Sequence, residues 1–171
     1  MTPNGDGGLQ TPKRSTMEKK FMAIVAVSLR GQHYFEVLQR NESLNSERYV
    51  EFLTHMATFF AEMVNPLRFE NMRLIQDNAR PHVSTSTTLE YLQGNNVRLI
   101  KQPAYSPDCN LCDRYIFNRL EAKRGDFSNT NDVIAFLNQQ LPLFTAEKMN
   151  MALQKMEEDL QKMIENGGGY L

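Results

Sequence analysis

Between Arg73 and Phe117 the chain reads RLIQDNARPHVSTSTTLEYLQGNNVRLIKQPAYSPDCNLCDRYIF, and this run restricts the fold more than any other. Arg73 to Gln76 has the length and composition of a short buried strand. Asp77 then stands at its carboxyl end, where an open α/β sheet places its chemistry. A helix is expected from about Val83 to Gln93, with Gly94 as its C-cap, and a strand returns over Val97 to Lys101. Pro103 and Pro107 stiffen the next loop around Tyr105. After it, Leu111, Tyr115, Ile116 and Leu120 recur at helical spacing and put Asp113 in the first turns of a helix that ends near Lys123. A strand-end acid facing a helix acid is how a divalent-metal site is built from oxygen ligands.

The flanking segments supply the remaining layers. Phe21 to Leu29 and Gln32 to Leu38 read as a hairpin turning at Arg30-Gly31, apolar enough to be covered on both faces. Asn45 caps a helix bearing Tyr49, Phe52, Leu53, Met56, Phe59, Phe60 and Met63 as a core stripe, stopped by Pro66. Thr130 or Asn131 caps a helix through Val133, Ile134, Phe136, Leu137 and Leu141. Thr145 starts a longer one with Met149, Ala152, Leu153, Met156, Leu160, Met163 and Ile164 on one face. Its opposite face, with Glu157, Glu158, Asp159, Lys162 and Glu165, reads as a solvated charge run. Residues 1–18, rich in Gly, Pro, Thr and Ser, read as a flexible tail with Asp6 as a turn residue. The order strand, strand, helix, strand, helix, strand, helix, helix, helix predicts an α/β mixed sheet flanked by helices.

At 171 residues with 41% hydrophobic content, the chain suits one domain with a sizeable core. No apolar run is long enough for a membrane span or a secretory signal. Cys109 and Cys112 have no second cysteine pair to complete a zinc site, so they read as reduced thiols near a helix start. Net charge is −1. Residues 120–171 carry five basic and eight acidic side chains, and no segment is a basic stripe. Affinity for nucleic acid comes largely from neutralised phosphates, so weak, salt-sensitive binding is expected of this chain alone.

The words QDNARPH at Gln76 to His82 and PAYSPD at Pro103 to Asp108, with Asp113 following, resemble the catalytic core of the mariner-type transposases, members of the ribonuclease H-like phosphotransferases. Counting from 77 to 113 leaves 35 intervening residues, one more than is usual in the best-known branches. Two co-linear motifs at nearly the right interval make the signal specific. Weaker likeness runs from the hairpin at Lys19 to Leu38, through the helix at Asn45 to Val64, to the ending at Met163 to Tyr170.

The resemblance implies a ribonuclease H-like fold over residues 19–171. It also implies Asp77 and Asp113 as catalytic acids that bind Mg²⁺ or Mn²⁺, transposon-end DNA as partner, and a nuclear location, with a homodimer left open. In such proteins a first catalytic Asp on a strand, and helix-turn-helix DNA-binding units before it, precede the segment matching Lys19. Neither is found here, so the sheet is expected to lack its first strand and the chain to be inactive. The rival expectation is a transposon-derived, non-catalytic protein-interaction module. Asp108 is expected to cap a helix. Arg80 and His82 are open between a phosphate contact and a surface or capping role.

Overall fold

The computed structural model describes residues 21–39, 42–63, 72–83 and 85–168. The expectations for Asp6 and the tail, for Pro66 as a helix stop and for the chain end at Tyr170 fall outside those residues. Strands β1 (Ala23–Val27) and β2 (His33–Val37) form the expected antiparallel hairpin, with Val25 opposite Phe35. Alternation of side chains divides it between two cores. Ile24, Ala26 and Tyr34 face helix α1 (Ser46–Met63), while Ala23, Val25, Val27, Phe35 and Val37 face the helices of the second half.

Helix α1 begins where Asn45 Oδ1 accepts the Arg48 N–H at 2.8 Å. Its buried Tyr49, Phe52, Leu53, Met56 and Phe60 meet Ile24 and Leu38 of the hairpin region and also Leu74 and Leu92 from the next unit. That unit comprises β3 (Arg73–Ile75), a four-residue turn of helix α2 (Arg80–Val83), α3 (Ser86–Gly94) and β4 (Arg98–Ile100). Strands β3 and β4 are parallel, with Leu74 beside Leu99 and Ile75 beside Ile100. Among the described residues, neither strand of this pair hydrogen-bonds to the hairpin. Helix α1 joins the two pairs by covering a face of each.

Three local expectations change. Strand β3 is not buried: among the described residues no helix covers its outer face, where Ile75 and its β4 neighbour Ile100 are 41% and 40% exposed. The expected single helix after Pro81 is two: the Thr85 side chain accepts the Thr88 N–H and starts α3 afresh. Gly94 is the last helical residue, not the cap. Asn95 caps, and Asn96 takes the left-handed backbone (φ 52), which asparagine tolerates through its short polar side chain.

The second half packs α4 (Asn118–Lys123), α5 (Thr130–Gln140) and α6 (Ala146–Glu165) against the hairpin's other face. Asn129, one residue before the expected cap, starts α5 in a reciprocal capping box with Asp132. Thr145 caps α6 as expected. Met149 and Met156 are buried, but Ile164 has run off the end of the core and is 70% exposed.

Glu36 on β2 ties the hairpin to α1. It accepts hydrogen bonds from Arg48, from Tyr34 Oη at 2.7 Å and from His55 Nδ1 at 3.0 Å. Burial pushes its carboxyl up, but the bonds from Tyr34, Arg48 and His55 prevail and the net shift is downward. Its stabilising contribution is therefore present above the unfolded carboxyl value, about 4.3, and is lost as pH falls through the lower folded value.

The hairpin turn also fixes α6. Gly31 has φ +80, and a Cβ there would lie 2.7 Å from the Ala146 nitrogen and 3.1 Å from the Phe144 oxygen. Asn150 Nδ2 donates to the Leu29 carbonyl across the same contact at 3.1 Å. Gly31→Ala is expected to cost about 2–5 kcal/mol in urea unfolding, from left-handed strain of roughly 1–2 and overpacking of roughly 1–3 kcal/mol. Gly94→Ala, where a Cβ meets nothing within 4 Å, should instead stabilise by about 0.5–1 kcal/mol. Equal effects from the two substitutions would contradict this account of the turn.

Candidate functional site

Asp77 follows β3 by two residues, at the carboxyl end of the parallel pair, as its sequence setting suggests. Its Oδ1 accepts the Ala79 N–H at 3.2 Å, closing a turn, and meets His82 Nδ1 at 2.5 Å. The side chain is 53% exposed, so its other oxygen is free to meet a solute. The His82 ring lies against Tyr49 of α1, centroids 4.2 Å apart, and its Nε2 is buried without a protein partner.

Buried Gln76 locks this corner. It accepts a 2.5 Å hydrogen bond from Tyr49 Oη and donates to the His82 carbonyl at 2.8 Å. The Tyr49 hydroxyl is pushed far up by burial, with the charges of Asp77 and Cys112 adding to the effect. Tyr49 is therefore a fixed donor to Gln76. Thr88 Oγ1 donates to the Pro81 carbonyl at 2.7 Å and holds α2 in place.

The second acid arrives on the helix after β4. Asn78 Nδ2 donates to the carbonyls of Gln102 (3.1 Å) and Pro103 (3.3 Å), and Gln102 Nε2 donates to the Cys109 carbonyl at 3.0 Å. These bonds stitch the loop of the first motif to that of the second. Pro107–Cys109 forms a 3₁₀ turn, and buried Asn110 then accepts the Cys112 N–H at 3.0 Å. Cys112–Phe117 continues as a π-helical turn running into α4, so Asp113 sits in the first turn as expected, but in a wider helix.

The two acids feel one another. Burial raises the Asp113 carboxyl above its ordinary value, the Asp77 charge raises it further, and a hydrogen bond with Asn110 opposes both. The same surroundings push the Cys112 thiol up to about 11, through burial and then the Asp113 charge. Burial likewise raises Cys109. Both cysteines are free thiols, as the sequence suggests.

Asp108 does not cap a helix. It lies within the 3₁₀ turn, whose N-cap Ser106 makes no side-chain cap bond, and Asp108 Oδ1 is buried without a protein partner. Arg80 opens α2. Sequence reasoning misses Tyr49, Gln76 and His82 as supports of Asp77. The signal for Gln76 and His82 is their place in the motif word, whereas Tyr49 looks like one more member of an apolar stripe.

Among the described residues no three His, Cys, Asp or Glu side chains gather as a metal-binding group. The Asp77–Asp113 pair nevertheless fits a hard divalent cation. Both are oxygen donors, one is half-exposed, and their mutual repulsion is what a cation would relieve.

No protein-family model matches the chain, but individual known proteins do. The human histone-lysine N-methyltransferase SETMAR is 28% identical over 170 residues, 93% of this chain and 24% of that protein. The mariner Mos1 transposase of Drosophila mauritiana is 25% identical over 173 residues, 98% of this chain and 49% of that protein. The chain thus spans about a quarter of one relative's length and about half of the other's. In fold, the Mos1 transposase catalytic domain solved with raltegravir and Mg aligns at a TM-score of 0.78 and 22% identity, covering 88% of this chain and 77% of that one. A Mos1 transposase paired-end complex with the left transposon end aligns at 0.84 and 22%, covering 99% and 50%.

The electrostatics of the pair lead to a stability prediction. Burial and Asp77 raise Asp113 above its unfolded value, so its ionised form costs the fold at neutral pH, and that cost disappears below the unfolded value of about 4. Asp113→Asn should therefore raise the thermal midpoint at pH 7–8, with the gain shrinking to nothing near pH 4. A midpoint lower than that of the parent at neutral pH would show that the two carboxylates do not repel.

Proposed function

Starting from a chain related to the mariner-type transposases and built on the ribonuclease H-like fold of their catalytic domain, we propose that its site belongs to metal-dependent cutting and joining of DNA. The observation that carries this reading is the placement of Asp77 just after β3 and of Asp113 in the first turn of the helix that follows β4, with the loops of the two motif words joined by the Asn78 and Gln102 hydrogen bonds. Bound Mg²⁺ or Mn²⁺ supplies activation of the attacking oxygen and stabilisation of the leaving one. Asp77 and Asp113 are the residues that hold the ion. His82 is a positioning residue: together with the Ala79 N–H it occupies Oδ1 of Asp77 and so fixes the orientation of the carboxylate.

Residues 19–171 act in this reading as one ribonuclease H-like domain. The hairpin and the β3–β4 pair, both covered by α1, belong in this reading to a mixed sheet that lacks its first strand, the one that would carry a third carboxylate. A two-metal mechanism needs that carboxylate, and no third acid joins the pair among the described residues. The described part is therefore inactive by itself. Action on transposon ends places the protein in the nucleus.

The test is metal binding before turnover. Mn²⁺ titrated into the chain, followed by calorimetry and by electron paramagnetic resonance, should show one site with a dissociation constant on the order of 10⁻⁴–10⁻³ M, as for sites with few charged ligands. Asp77→Ala and Asp113→Ala should each abolish it, and His82→Ala should weaken it with the fold intact. No nicking of DNA carrying terminal inverted repeats is expected. Mn²⁺ binding indifferent to both aspartates would overturn the reading in favour of a non-catalytic interaction module. Cleavage abolished in both variants would overturn the inactivity and place a third acid outside the described residues.

A further inference from the structure

No stretch of the sequence is basic, yet the fold builds a basic groove. The helix that carries Asp113 and helix α6 enclose ≈ 440 Å³ between them, lined by Arg114, Arg119, Lys148 and Lys155 with Tyr115 and Met151. Two of the four cations come from residues 114–119 and two from α6, a helix that carries more acid than base. We infer that this groove binds the phosphodiester backbone of a DNA strand, an inference that rests on the DNA reading above but not on the metal.

The charges do not cancel. Asp159 is the carboxylate that meets the groove's cations. It accepts from Arg114 and, at 2.9 Å, from Lys155, and with its side chain only 14% exposed it is largely spent on that bridge. This overturns the expectation that Asp159 belongs to a solvated charge run. Glu158 is the other acid whose charge Lys155 feels, and it is hydrogen-bonded to Gln154 at 3.2 Å. Arg119 and Lys148 have no carboxylate partner among the described residues. The Arg119 guanidinium lies 4.4 Å from the Tyr115 ring centroid, and Lys148 Nζ donates to the Leu143 carbonyl at 3.1 Å. Both cations are held in place by neutral groups, which leaves their full charge for an incoming anion.

The groove's form points to a strand rather than to a small anion. Its cations lie along two helices instead of converging on one point. Its apolar surface, Tyr115 with Met151, which is 64% exposed, offers packing for sugar or base between phosphate contacts. Cations interleaved with an aromatic ring are the elements of sequence-tolerant single-strand binding.

The experiment is fluorescence anisotropy with a labelled 20-nucleotide DNA, single- and double-stranded, in EDTA at low salt. Arg119→Ala/Lys148→Ala should weaken binding roughly tenfold and reduce the slope of log K against log salt by about two, one for each phosphate left without its cation. Met151→Glu, at an exposed position that cannot disturb the core, should also weaken binding, and Met151→Lys should strengthen it. Lys123→Ala/Lys162→Ala, outside the groove, should change neither affinity nor slope.

Arg119→Ala/Lys148→Ala should leave Mn²⁺ binding unchanged, so a failed groove is distinguished from a failed metal site. Competition by heparin at far lower concentration than inorganic phosphate is expected of a strand site. The inference is overturned if the groove variants, folded by circular dichroism, bind DNA as the parent does. It is also overturned if the control pair weakens binding as much, if inorganic phosphate competes as well as heparin, or if the parent chain binds no DNA at low salt.

Discussion

The structure depends on one helix surface shared by two strand pairs. Tyr49, Phe52, Leu53, Met56 and Phe60 of α1 pack on Ile24 and Leu38 on one side and on Leu74 and Leu92 on the other. Neither strand pair is held to the other by backbone hydrogen bonds among the described residues. Two-stranded sheets are marginal by themselves and need a packed helix for stability. The position of Asp77 relative to the hairpin is thus set by apolar contact through α1, and by the Tyr49–Gln76 hydrogen bond in which that helix reaches the site directly.

The architecture is legible wherever a pattern is local. The hairpin reads from continuous apolar residues and Gly31, and α1 and α6 read from their caps and stripes. The places of Asp77 after a strand and of Asp113 in a first helical turn read from their settings. What fails to show is competition between signals. Asn96 does the left-handed work that Gly94 seems placed to do, because the last turn runs one residue further before the chain reverses. Thr85 offers a side-chain cap in what otherwise looks like one helix. A π turn leaves no trace in apolar periodicity that a short helix could reveal. The basic groove is hidden for a different reason: its two pairs of cations are some thirty positions apart along the chain, and charge summed over segments cannot see a field created by packing.

The two sides of the helix bearing Asp113 have opposite electrostatic character. Asp113 faces the Asp77 charge and is pushed toward protonation, while the residues that follow it present guanidinium groups. A site that handles a polyanion with carboxylates must overcome like-charge repulsion, and neighbouring cations moderate the field outside the acid pair. Cys112, partly buried beside Asp113, has its thiol held protonated by burial and by the Asp113 charge, so it contributes bulk rather than a soft ligand.

The contact between Gly31 and the start of α6 carries a consequence in time. The hairpin closes locally, but the Asn150–Leu29 hydrogen bond joins residues 121 positions apart, and such long closures are slow and come after local structure. On a ribosome the hairpin and α1 emerge before the helix carrying Lys148 and Lys155. The Asp113 helix therefore waits, with half of its groove missing, until α6 docks on a hairpin turn made long before it. The four cations of the groove stand together only after that docking.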